Sequence, residues 1–179
     1  MLSATLETVA EQGLSKVTMA SLAARLGTSG GHLLYYFGTR NGLLLETLRW
    51  SENQYAVQRA PVIAKAAAGD EGPEAVVAFA DVYLALDEKD PRWLLWLELW
   101  ARAPYDAELA AAQRDIDAEW DRDLVRLLAD CAPALPDRQG TSERLRAMWD
   151  GLSIGIVTGG GTELRAAALA HTRAVVTGA

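Results

Sequence analysis

The stretch GTSGGHLLYYFGTR, Gly27 to Arg40, gathers two adjacent glycines, a histidine, two adjacent tyrosines and a phenylalanine. This is the chemistry of reading a surface rather than of making bonds. Small residues let a backbone approach a partner closely, and a helix N-terminus attracts phosphate. A second set is aromatic: Trp93, Trp96 and Trp100 are spaced i, i+3, i+7, with Phe79, Tyr83, Trp120 and Trp149 on neighbouring segments. Such rings either pack as a core or wall a cavity, and the spacing allows both. Beside Asp81, Glu98 and Asp117 they suit a cation drawn to ring faces, or equally a neutral aromatic or lipid-like molecule. A third set is small. Gly151 and Gly155 leave one side of a helix bare, while Leu145, Met148, Leu152 and Ile156 make an apolar face. That pattern fits close packing within the chain or against a second copy.

Catalytic chemistry finds little support. Two histidines and the single cysteine, Cys131, stand far apart and form no metal-ligand spacing. No serine or cysteine has the surroundings of a nucleophile, and no glycine-rich loop follows a strand. The acidic run DIDAEWDRD at 115–123 reads as the solvated face of a helix. No enzyme, no cofactor and no metal are expected. One cysteine fits a reducing cytoplasm, and no apolar run reaches the roughly 20 residues of a membrane span.

The elements that must position these groups are helical throughout. Leu2, Leu6 and Val9 form a first stripe that stops at Gly13, and Thr18 caps a second helix carrying Met19, Leu22, Ala23 and Leu26. Gly27 ends it, a short third helix covers about 29–36, and Thr39 caps a long fourth one reaching about Ala67 with a kink at Pro61. Leu33, Tyr36 and Phe37 should pin the third helix to the others. A loop follows at 67–73, and Pro73 suits the first turn of helix five. Asp90-Pro91 opens a sixth helix, WLLWLELWA, apolar nearly all round and therefore central. Pro104 is expected to start helix seven and Ser142 to cap helix eight, and three glycines at 159–161 precede helix nine. The fold class is all-α, with about nine helices. Helices two and three then make a helix-turn-helix, whose short second helix fits the major groove with its N-terminal end at the base edges.

Charge divides the chain. Residues 1–50 hold four basic and three acidic side chains, leaving thirteen basic against twenty-one acidic beyond. A net charge of −7 argues against indiscriminate nucleic-acid binding but allows a small reading head on an acidic body.

TMASLAARLGTSGGHLLYYFGTRNGLL resembles the N-terminal domain of the TetR family of transcriptional regulators. The resemblance rests on the ordered Thr18, Leu26-Gly27, Tyr35-Tyr36-Phe37, Thr39, Arg40 and Leu43-Leu44 and covers about residues 2–48. Further on, WLELWARA and the arrangement of the last two helices resemble the family's BetI-like subgroup. The resemblance implies a DNA-binding domain at 1–45 and an effector-binding and dimerisation domain at 46–179. It places Thr18, Ser29, Gly30, Gly31, His32, Tyr35, Tyr36 and Arg40 at operator DNA. It places the effector among Phe79, Tyr83, Trp93, Trp96, Trp100, Trp120 and Trp149. A homodimer interface would use Leu145, Gly151, Leu152, Gly155 and Ile156 with Leu164, Ala168, His171 and Val175 of the last helix. The implied function is a repressor released by a small-molecule effector, without a membrane partner. The sequence departs from the family pattern where Leu34 replaces a phosphate-contacting tyrosine, Gly30 a polar residue or proline, and Arg40 a lysine. The chain also starts at the first turn of helix one, without a basic arm. Leu34 and Gly30 motivate an alternative, a helical ligand-binding dimer that has lost specific DNA binding, whereas Arg40 in place of lysine keeps a phosphate contact.

Overall fold

The computed structural model describes residues 1–69 and 72–178. Among them are nine α-helices and no strand: α1 (Leu2–Gln12), α2 (Met19–Arg25), α3 (Gly30–Phe37), α4 (Arg40–Ala67), α5 (Glu74–Tyr83), α6 (Pro91–Arg102), α7 (Ala107–Cys131), α8 (Arg138–Gly155) and α9 (Glu163–Thr177). The chain forms two compact units. The loop expected at 67–73 includes Asp70 and Glu71, which lie outside the described residues.

The first unit comprises Met1–Asn53 and Lys89–Gln113. Thr18 caps α2 as its hydroxyl accepts from the Ser21 amide, and the Ser21 hydroxyl accepts in return from the Thr18 amide. Gly27, at φ 62, supplies the left-handed turn into α3. Ser29 then caps α3 by accepting from the His32 amide at 3.1 Å. Leu33 is wholly buried, with Val9, Val17, Leu22, Leu43 and Leu48. Tyr36 does not help to pin α3: it is 58% exposed. Arg25 ties α2 to α1, giving 2.6 Å to Glu11 and 2.9 Å to Glu7. Helix α6 belongs to this unit, and Trp93, Leu95, Trp96 and Leu99 are buried in it. Buried Arg92 donates to Glu52 at 2.6 Å, and the Trp96 indole donates to the same carboxylate at 2.8 Å.

The second unit comprises Gln54–Glu88 and Arg114–Ala179, described to Gly178. Its core holds Val76, Phe79, Leu124, Leu127, Leu128, Leu145, Trp149, Ile156 and Ala168. Helix α9 packs on α5 and α8. The Trp149 indole donates to Thr172 at 2.8 Å, and Arg165 donates to the carbonyls of Leu84 and Ala85. At Gly155 a Cβ would come within 2.7 Å of Leu164 Cδ1, so glycine sets how closely α8 and α9 meet.

Helix α4 reaches Ala67 with Pro61 inside it, as expected. Two local expectations are corrected. Pro104 lies in a short turn of 3-10 helix at Ala103–Tyr105, and Asp106 caps α7 instead, accepting from the Glu108 and Leu109 amides. Asp137 caps α8, while Ser142 sits in its second turn and donates to Asp121 at 2.7 Å.

Candidate functional site

The reading helix α3 is held from behind and bare in front. Leu33 is fully buried, whereas Leu34, Tyr35 and Tyr36 are 47%, 82% and 58% exposed. Three rings brace one another edge to face: His32 on Tyr36 at 4.9 Å and Tyr35 on Tyr36 at 5.3 Å. Gly30 and Gly31 occupy the first turn. A Cβ at Gly30 would meet nothing within 4 Å, and one at Gly31 only the Ser29 hydroxyl at 3.9 Å. Glycine costs a helix about 1 kcal/mol relative to alanine, and here neither packing nor turn geometry asks for it. Thr18, Ser29, Gly30, Gly31, His32, Tyr35 and Tyr36 all belong to α2, α3 and their caps, and Thr18, Ser29, Gly31, His32, Tyr35 and Tyr36 are exposed.

Arg40 is turned the other way. Its Nε donates to the Val17 carbonyl at 2.7 Å and its Nη2 to the Leu14 carbonyl at 3.0 Å, while Nη1 lies 3.4 Å from Glu98. Glu98 also pairs with Arg102. The guanidinium clamps the turn that leads into α2. Sequence reasoning missed this because the acceptors are backbone carbonyls, which carry no residue signature.

The seven aromatics fall into two groups. In the first unit Trp100 stacks at 5.9 Å from Trp93 and 5.6 Å from Trp96. In the second, Phe79 meets Trp120 at 5.3 Å, and Tyr83 meets Trp120 and Trp149 at 4.9 and 5.2 Å. The acids named with them are all engaged: Asp81 with Arg165, Glu98 with Arg40 and Arg102, Asp117 with Arg146. The run at 115–123 is correspondingly not a plain solvated face, since Asp121 and Asp123 also hold Arg146 and Arg59. Two arginines that sequence reasoning did not single out sit in the second group. Arg59 lies 4.2 Å over the Trp120 ring, so that face already holds a cation. Arg146 is the other. Burial opposes its charge, but Tyr83, Asp117 and Asp150 beside it outweigh burial and raise its pKa. Its Nε is buried and has no hydrogen-bond partner among the described residues.

On α8 and α9 the nine expected interface residues separate by exposure. Leu145, Ile156 and Ala168 are inside the unit, at 1%, 0% and 0%. Gly151, His171 and Val175 are exposed, and Leu152, Gly155 and Leu164 are half-buried.

A capped, braced helix presented after a glycine turn completes a helix-turn-helix, the motif that seats a short helix in the major groove. Residues 1–47 match the family described as bacterial regulatory proteins, tetR family, and residues 73–179 match the BetI-type transcriptional repressor C-terminal family. The chain belongs to the TetR family, with a BetI-type C-terminal region, and is a transcriptional regulator rather than an enzyme. It is 32% identical over 176 residues to the HTH-type transcriptional regulator BetI of Burkholderia ambifaria, covering 96% of this chain and 88% of that one. It is 31% identical to BetI 1 of Chromohalobacter salexigens over 157 residues, covering 85% and 74%. The fold matches a transcriptional regulator of Saccharomonospora viridis solved with choline, with a TM-score of 0.78, 21% identity and coverage of 98% and 91%. No helix among the described residues is long and apolar enough to cross a membrane.

Proposed function

We propose that the protein is a cytoplasmic repressor that binds operator DNA as a homodimer and is released by a small-molecule effector. Residues 1–45 read DNA, and 46–179 take the effector and dimerise. The observation that carries this reading is the first turn of α3, where a Cβ at Gly30 would meet nothing within 4 Å and one at Gly31 only the Ser29 hydroxyl. Ser29 to His32 approach the base edges, and Thr18 and the hydroxyls of Tyr35 and Tyr36 lie toward the backbone phosphates. Arg40 acts from behind, by holding the turn. The exposed Gly151, His171 and Val175 and the half-buried Leu152 and Leu164 of α8 and α9 meet their counterparts in a second copy as a four-helix interface.

The effector is taken up among the aromatic residues, with Arg146 Nε as the donor that fixes its polar end. The regulator from Saccharomonospora viridis holds choline, and choline is the first effector to test. At Trp120 a quaternary ammonium would have to displace Arg59 from the ring face. Tryptophan fluorescence titrated with choline reads this directly, and no quenching up to millimolar choline points to another effector. Gel shift on DNA flanking the gene tests the whole proposal. A second reading, a ligand-binding dimer that has lost specific DNA binding, is favoured by the inward turn of Arg40. It predicts no shift on any flanking fragment.

A further inference from the structure

Between Arg25 and Arg40 the chain has no charged side chain, and no asparagine or glutamine either. The polar side chains that read bases most specifically are arginine or lysine, bidentate to guanine, asparagine or glutamine, bidentate to adenine, and aspartate or glutamate, accepting from cytosine N4. Helix α3 has none of them. The Ser29 hydroxyl is occupied as a cap. What α3 presents opposite buried Leu33 is, by helical spacing, Gly31, His32 and Tyr35, flanked by Leu34 and Tyr36. Tyr35 is 82% exposed and Leu34 47%. The edge-to-face contacts among His32, Tyr36 and Tyr35 hold these rings, apolar over their carbon edges, in one arrangement, so they meet a partner already ordered.

In the major groove the base feature that such a surface matches is the C5 methyl of thymine, the groove's apolar group. From this we infer that the protein selects its operator mainly by apolar contact of Leu34, Tyr35 and the His32–Tyr36 pair with thymine methyl groups. The bare turn at Gly30 and Gly31 lets the helix seat deeply enough to reach them. This rests on the DNA-reading role proposed above and names what that role recognises. Guanine, which offers N7 and O6 to a cationic fork, meets no arginine or lysine on α3. The cations nearest α3 in sequence are engaged within the chain, Arg25 with Glu7 and Glu11 and Arg40 with two carbonyls and Glu98.

The test uses the full chain and a pool of duplexes with a random 20-base-pair centre, a length of about two helical turns. Bound duplexes are enriched and sequenced. The best is then remade with deoxyuridine in place of thymine, which deletes only the methyl. Thymine should recur at fixed positions, and each contacted methyl lost should lower affinity about fourfold, so that two or three give roughly ten- to sixtyfold. Tyr35→Ala, at a position too exposed to disturb folding, should weaken binding to the thymine duplex but not further to the uracil one. Equal affinity for the two duplexes overturns the methyl reading alone, since DNA is then bound on other grounds. If no sequence is enriched, both this inference and the DNA-reading proposal fall.

Discussion

Arg40 gives three donors to the molecule's own acceptors, so its loss should act on the fold before it acts on DNA. Arg40→Ala removes the clamp on Val17 and Leu14. Hydrogen bonds from charged groups are worth about 1.5–3 kcal/mol, and a loss of about 2 kcal/mol in urea unfolding is expected. Arg40→Lys should recover little of it, because an ammonium cannot span a forked set of acceptors. Operator affinity should fall for every sequence alike, with an unchanged salt dependence. A fall in the log–log salt slope by about 1 would instead assign Arg40 to a phosphate. The contrast with Thr18 shows what residue types disclose. Thr18 caps α2 through partners three residues away, a local pattern legible in the sequence. Arg40 finds its partners 23, 26 and 58 residues away, on groups any residue would offer. Arg146 was equally illegible, because its orphaned Nε is defined by what surrounds it.

Among the elements, α4 and α6 are joined in the first unit by a buried ion pair. Glu52 and Arg92 side chains are 7% and 2% exposed, and Trp96 donates to the same carboxylate. Removing one partner of a buried pair leaves the other charge uncompensated and typically costs about 3–5 kcal/mol. Glu52→Ala should reach that range by denaturant unfolding, whereas the paired replacement by methionine at Glu52 and Arg92 should restore most of it. A cost below about 1 kcal/mol for Glu52→Ala would show the pair to be solvated. The α1–α2 tie is exposed and responds to acid. The Arg25 guanidinium, bonded to Glu11, holds that carboxyl below the usual glutamate range, and Ser3 and then Arg25 do the same for Glu7. A depressed folded pKa contributes stability above the unfolded value and loses it as pH falls through the folded one. Acid unfolding of Arg25→Gln should therefore show less pH dependence below the ordinary glutamate range than the parent. Element type and order were legible here because apolar stripes at helical spacing persist over ten residues or more. Two starts were not. Asp137 and Ser142 are both competent caps for α8, and Ser142 is drawn into the helix by Asp121, twenty-one residues away. Pro104 suits a first helical turn, but Asp106 offers the better acceptor two residues on.

For the whole molecule, dimerisation and effector response need tests that leave the protomer intact. Gly155 is a poor choice, because a side chain there would strike Leu164 of its own chain. At Gly151 a Cβ meets nothing within 4 Å, so bulk and charge at that position act only on a partner. Gly151→Arg should give a monomer by light scattering with unchanged helical circular dichroism and weaker operator binding. A persistent dimer would move the interface away from this face of α8. Dimerisation in turn sets what an effector can do, since paired reading helices must meet successive major grooves about 34–36 Å apart. An effector shifts the equilibrium only by binding the DNA-incompetent form more tightly. Typical coupling of 1–3 kcal/mol corresponds to a loss of operator affinity of about 5–150-fold. Helices α4 and α7 each contribute residues to both units, α4 up to Asn53 in the first and from Gln54 in the second, and they are the continuous elements available to carry the change. The tryptophans at 120 and 149 should report effector entry by quenching. Tyr83→Phe keeps the ring but removes the hydroxyl that donates to Asp150 at 2.6 Å, beside Arg146. It should weaken effector binding while leaving effector-free operator affinity unchanged. Reciprocity supplies the control: saturating operator must lower effector affinity by the same factor. An effector that quenches these rings at saturation without changing operator affinity would show that the aromatic group binds ligand but does not govern DNA.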